Sequence, residues 1–188
     1  MNTYNPVYEN VCQENNERIT RKVYPLALTA ENLSKFWEKA RQFPQIYWKE
    51  SLSEQEFLNM FIQLQSDGTY LPTGMIWVVD DFVGVFYITN MDGIDDALVH
   101  YTFFDRKHNG RLHFVKGMIK YVFSRYGFER VSAEIPNYAT PQVRRFAEQL
   151  GFIYEGKRRK AAKFRGDRFD VNLYGLLRRE ALRGSTEN

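Results

Sequence analysis

Apolar positions along this chain recur at two spacings, and those spacings divide it into helices and strands. Leu33, Phe36, Trp37 and Ala40 repeat at i, i+3, i+4 and i+7 behind Thr29, whose hydroxyl suits the start of a helix. Ser53 and Glu56 have the spacing of a capping box, so a second helix is predicted there with Phe57, Phe61 and Leu64 inward. Leu112, Val115, Ile119, Val122 and Tyr126 mark a third apolar stripe. The fourth helix opens on Thr140-Pro141, a hydroxyl for an orphan amide followed by a residue with no N–H to satisfy. Its face is Val143, Phe146, Ala147 and Leu150, and Gly151 supplies the left-handed stop.

Strands fill the intervals. Residues 23–28 form the first expected strand. Residues 75–80 and 82–89 form a hairpin through Asp80-Asp81, apolar on both faces as in a sheet covered by helices. Residues 97–104 and 130–136 follow. Residues 152–159 and 168–177 pair across a bend at Gly166-Asp167, and Phe169, Val171 and Leu173 alternate with Asp170 and Asn172. The predicted order is strand, two helices, three strands, helix, strand, helix, two strands. One domain over residues 21–180 accommodates it, with a polar, Asn-rich arm or tail at 1–20 and a short tail at 181–188.

Composition narrows the class. Hydrophobic residues make up 44% and aromatic residues 16%, enough for a packed core rather than a disordered chain. The net charge of +3, from 26 basic and 23 acidic residues, gives no bulk argument for nucleic acid, which is disfavoured as a partner. Cys12 is the one cysteine, which excludes an internal disulfide and any cysteine-built zinc site; no metal is expected. Residues 1–18 lack the apolar core of a signal peptide, and the longest apolar runs are strand-sized. A soluble, cytoplasmic protein with no membrane contact is the expectation.

The segment after the fourth helix start carries a resemblance. A short helix ending in Leu150-Gly151-Phe152 is followed by Glu155, Gly156, Arg159, Gly166, Asp170, Tyr174, Leu177 and Glu180. Their joint order and spacing resembles the C-terminal part of the GNAT superfamily of N-acetyltransferases. The branch that acetylates ribosomal-protein N-termini and polyamines is the most similar. The resemblance covers residues 21–180 and implies an α+β fold. Its central mixed, mostly antiparallel sheet would have about seven strands flanked by about four helices. It also implies acetyl-CoA as co-substrate.

In that family the turn between strand 97–104 and the next helix reads Q/R-x-x-G-x-G/A. Its amides cradle the coenzyme diphosphate. The resemblance therefore makes Phe103, Phe104, Arg106, Lys107, His108, Asn109, Gly110, Arg111 and Leu112 the coenzyme segment. A backbone N–H near Phe103 would meet the thioester carbonyl. Counted from Arg106, the glycine positions hold Asn109 and Arg111; counted from Lys107, they hold Gly110 and Leu112. Asn tolerates left-handed backbone, and Arg106, Lys107 and Arg111 can themselves hold phosphate. The plainer reading is a basic loop capping a helix. Many relatives place an acidic Tyr four residues before the Gly of LGF, where this chain has Ala147. An Asn that bonds pantetheine is replaced by Thr140, with Asn137 three residues earlier.

Amine acetylation needs a neutral amine, a polarised carbonyl and a proton for the leaving sulfur. Glu134, sharing a strand face with Ser132, is a candidate base, and His100 is a second. Tyr138 is the nearest phenol for the acid role. Each also has a structural reading: a solvated strand carboxylate, a satisfied histidine, a loop-packing ring. Tyr47 and Trp48, between the first two helices, are candidates for acceptor contact or for a lid on the core. Lys157, Arg158, Arg159, Lys160, Lys163, Arg165 and Arg168 concentrate charge on the last hairpin, for an acidic acceptor, RNA, another subunit or solvent. Two functions follow. One is acetyl transfer from acetyl-CoA to a primary amine by direct attack in a ternary complex, the amine being a protein N-terminus, lysine, polyamine, small amine or antibiotic. The other is a non-catalytic GNAT-fold binding or assembly protein, of the kind phages encode, in which a homodimer or assembly partner uses the basic hairpin.

Overall fold

The computed structural model describes residues 5–14, 17–43, 52–92, 95–104 and 110–183. Among the described residues, ten strands and five helices run in the order β1 (Tyr8–Glu14), β2 (Glu17–Pro25), α1 (Ala30–Ala40), α2 (Glu54–Leu58), β3 (Ile62–Leu64), β4 (Tyr70–Pro72), β5 (Met75–Val79), β6 (Gly84–Asp92), β7 (Asp96–Phe103), α3 (Arg111–Tyr126), β8 (Arg130–Pro136), α4 (Pro141–Leu150), β9 (Ile153–Phe164), β10 (Asp167–Leu177) and α5 (Arg178–Leu182). Eight strands form one sheet in the order β1-β2-β5-β6-β7-β8-β10-β9, and β3 and β4 form a separate pair. Every neighbouring pair is antiparallel except β7 with β8.

Alternation along the central strands feeds two cores. Trp77, Val79, Phe86, Ile88, Val99 and Val131 face α3 and α4, whose Phe114, Met118, Val122 and Ala147 close that layer. Ile76, Val78, Val85 and Tyr87 face α1 and α2. There Phe36 sits among Phe57, Tyr87 and Phe61 at ring distances of 4.9, 5.7 and 5.8 Å. Both expected caps on this side are present: Thr29 accepts from the Asn32 amide, and Ser53 and Glu56 close a full capping box.

Several expectations are corrected. The polar arm at 1–20 is in fact β1 and the start of β2, paired from Tyr8↔Val23 to Glu14↔Glu17. Its inward residues are Tyr8, Asn10 and Cys12, and the polar Asn10 hides the alternation. The expected strand at 23–28 begins earlier and ends at Pro25. The second helix stops at Leu58, the chain turns into β3, and Leu64 points outward, 62% exposed. Thr140 makes no side-chain cap; its carbonyl accepts from the Val143 amide instead. The last hairpin turns at Arg165-Gly166, both with positive φ, rather than at Gly166-Asp167. Ala181 and Leu182, expected in the tail, pack against the main core.

β1 is latched to α3 through Gly117. A Cβ there would fall inside the Tyr8 ring, which also lies 6.2 Å from the Phe114 ring. Glycine in a helix interior costs about 1 kcal/mol relative to alanine, and the close approach offsets that cost. Gly117→Val is expected to lower stability by about 1–3 kcal/mol through overpacking. A denaturation midpoint equal to wild type would show that Tyr8 repacks freely.

Candidate active site

β7 and β8 run parallel but meet at one registered pair, Leu98↔Ser132, and diverge beyond it. Past Leu98, β7 pairs only with β6, up to Gly84↔Phe103. Its other edge therefore borders a gap where a neighbouring strand would otherwise lie. The closed end of the gap is stapled. Ser132 donates to Asp96 on β7, and Arg130 bonds Asp96, Ser132 and both Glu155 carboxylate oxygens. Arg130 holds the Glu155 carboxyl below its usual range.

The open end widens into a cleft of about 1930 Å³. β7 contributes Leu98 to Phe103, β8 contributes Ala133 to Pro136, and the β8–α4 turn contributes Tyr138, Ala139 and Thr140. α4 adds Phe146 and Ala147, the β9–β10 hairpin adds Arg158, Phe164 and Arg165, and Met60, Ile62, Leu71 and Pro72 line the far side. Ala133 and Ile135 pack toward α3 and α4, so Glu134 lies on the α1–α2 side of the sheet. His100 lies on that side too, stacked on Tyr87 at 4.5 Å.

Each candidate side chain has defined neighbours. His100 Nε2 shares a 2.9 Å hydrogen bond with the Thr89 hydroxyl. Burial pushes its pKa down to about 4, so the imidazole is neutral at pH 7 and too weakly basic to take a proton efficiently from an ammonium. Glu134 is ion-paired with Arg158, its side chain 20% exposed. Tyr138 stacks on Phe164 at 4.6 Å and meets Phe169 edge-on at 5.2 Å, so the β9–β10 hairpin fixes its ring. Phe103 lines the cleft with the Arg111 guanidinium 5.4 Å above its ring.

Other predicted site residues are placed elsewhere. Phe104 turns to the α1 side, 5.6 Å from Phe43 and 6.5 Å from Phe36, and Leu112 packs against the main core. Asn137 accepts from the Asn172 amide at 2.7 Å, which ties the β8 end to β10. Thr140 does line the cleft. Tyr47, Trp48, Arg106, Lys107, His108 and Asn109 lie outside the described residues.

Gly110 is the N-cap of α3, with φ +74. A Cβ there would lie 3.0 Å from the Cys12 Cβ and 3.3 Å from Asn10 Nδ2. β1 thus backs the start of α3, a neighbour that sequence reading missed. Tyr101 was missed as well. It lines the cleft 5.1 Å from the Phe146 ring, one residue from Ala147, and burial raises its phenol well above the ordinary value. The alternation Val99-Tyr101-Phe103 carried that signal.

A sequence profile of the acetyltransferase (GNAT) domain matches residues 29–173. The chain belongs to the GNAT acetyltransferase domain family. The N-terminal hairpin β1–β2 lies outside the matched span. Among solved structures, this GNAT chain is similar to a spermidine N-acetyltransferase from Vibrio cholerae in complex with CoA and spermine. That likeness has a TM-score of 0.66 at 16% identity, over 86% of this chain and 98% of the other. A GNAT-family acetyltransferase from Bacillus anthracis superposes with a TM-score of 0.60 at 15% identity, covering 91% and 100%. A probable acetyltransferase gives 0.62 at 19%, covering 91% and 98%. At such identities these likenesses show the fold. No curated protein sequence matches. Among the described residues, no helix is long and apolar enough to cross a membrane, and no cluster of metal-ligating side chains occurs.

Proposed function

We propose that this GNAT domain moves an acetyl group from acetyl-CoA to a primary amine by direct attack in a ternary complex. The observation that carries the reading is the divergence of β7 from β8 beyond the one registered pair, Leu98↔Ser132, at the strand end that lines the cleft. A pantetheine arm laid along the diverging edge of β7 takes backbone hydrogen bonds there as a neighbouring strand does, and an edge N–H near Phe103 polarises the thioester carbonyl. The diphosphate goes to the N-terminus of α3, where Gly110 caps a 16-residue helix that opens on Arg111 and has no acidic residue in its first turn.

The amine enters from the α1–α2 side, where Glu134 receives its proton directly or through water. The nitrogen attacks the carbonyl carbon, the carbon–sulfur bond breaks, and the coenzyme thiolate takes a proton. Tyr138 and Tyr101 are the cleft phenols offered for that proton. Tyr138→Phe is expected to lower kcat roughly tenfold or more with acetyl-CoA affinity intact, since general acid catalysis contributes ~10²–10⁴-fold. If Tyr138→Phe turns over at the wild-type rate and Tyr101→Phe does not, the acid is Tyr101. The test is release of free coenzyme thiol with a panel of primary amines, together with mass analysis of the product.

A second reading draws on Ala147 and Thr140, which stand where relatives place the acidic Tyr and the pantetheine-binding Asn, and on Asn137, which is engaged by Asn172. In it, the domain binds coenzyme or a partner without transfer. Acetyl-CoA that binds yet stays intact with every amine over a single-turnover time course would favour it.

A further inference from the structure

The cleft is asymmetric in charge, and the asymmetry bears on which amine it accepts. Glu134 is the one carboxylate among the described lining residues, and Arg158 already neutralises it. Arg165, at the tip of the β9–β10 hairpin, lines the same cleft with its guanidinium 5.3 Å above Phe164. It meets no carboxylate among the described residues. Phe164 stacks on Tyr138, so Arg165 stands in the same cleft as the proposed acid Tyr138 and the proposed base Glu134. Residues 153–177 carry seven basic and three acidic side chains. Two of those acids, Asp170 and Glu155, are engaged by Lys157 and Arg130. Among the described lining residues, Arg111, Arg158 and Arg165 face the single carboxylate of Glu134, so their summed charge is positive.

A polyamine would bring several positive charges to that cleft and find no open carboxylate among the described lining residues, an arrangement that costs affinity. Residues around β3 and β4 add Met60, Ile62, Leu71 and Pro72 together with the uncharged polar Asn59, Gln63 and Thr73, which offers contact area without charge. The cleft, about 1930 Å³, exceeds the ~300–1,000 Å³ of an ordinary small-molecule site, leaving room for an extended acceptor beside the coenzyme arm.

We propose that the acceptor is the α-amine of a peptide chain whose next residues are acidic, drawn in and oriented by Arg165 and the β9–β10 hairpin. The proposal rests on the acetyl-transfer reading above and names the substrate class of that site. Three peptides with the same N-terminal residue, differing only in Glu, Gln or Lys at positions two to four, provide the test, with spermidine as a fourth amine. kcat/KM is measured at two ionic strengths, after calorimetry with acetyl-CoA alone. The Glu peptide is expected to exceed the Gln peptide about tenfold and the Lys peptide further, with the gap shrinking in salt. Arg165→Glu is expected to erase the Glu-over-Gln preference. A preference for spermidine or the Lys peptide, equal rates for all three peptides, or acetylation of spermidine with no peptide acetylated overturns this proposal alone. Absence of acetyl-CoA binding overturns the acetyl-transfer reading and this proposal with it.

Discussion

Replacing Gly110 with Asp is expected to weaken acetyl-CoA binding about 100-fold, or about 2.7 kcal/mol. Two effects combine. Gly110 holds φ +74, which L-residues adopt at a cost, and its added Cβ would press on Cys12 and Asn10, pushing the start of α3 away from β1. The new carboxylate would also sit at the N-terminus of α3, where it competes with the diphosphate for the same helix-end amides. Gly110→Ala carries the steric part without the charge and should lose markedly less. Calorimetric titration of both variants, with thermal midpoints alongside, separates the two effects. Wild-type affinity in Gly110→Asp would show that the coenzyme does not use this helix end.

Acidification should destabilise the fold through His100. Its folded pKa, about 4, lies below the ordinary value near 6.5, so between those limits the unfolded chain binds the extra proton. Stability is fully present above pH 6.5 and falls as the pH drops toward 4, by a total on the order of 3 kcal/mol. The cause is burial between Tyr87 and Thr89, where an imidazolium has no charge partner. A His100→Gln variant should show a flatter profile of unfolding midpoint against pH across this window. A wild-type profile with no slope between pH 6.5 and 4 attributable to His100 would mean the ring is solvated in solution.

The helices and central strands were legible because their periodicity is set by burial. β8 was predicted at its observed bounds, and α4 and its Gly151 stop follow from an apolar stripe and one left-handed glycine, although Val143 of that stripe is 38% exposed and only Ala147 and Leu150 are buried. β1 was not legible. Its inward row is Tyr8, Asn10 and Cys12, and an edge strand with a buried amide lacks the apolar alternation of a central one. β3 was hidden because Phe61 and Leu64 fit a helical stripe, although the structure buries the first and exposes the second. In the candidate site, Tyr138 and Glu134 could be placed by turn and strand-face reasoning. Their constraints could not, since Phe164 and Arg158 arrive from a hairpin whose register shifts twice. Phe104 shows the converse. The motif assigned it to the coenzyme, while strand alternation sends its ring to the opposite core, against Phe36 and Phe43.

The central claim is that the gap between β7 and β8, with the α3 N-terminus at its mouth, holds an acetyl-CoA molecule. Calorimetric titration of the purified protein with acetyl-CoA, using free coenzyme A as the comparison, tests it most directly. One-to-one binding in the micromolar range, weakened in Gly110→Asp, is the predicted result. No heat of binding at millimolar acetyl-CoA would contradict the account and leave this GNAT fold serving a partner other than the coenzyme.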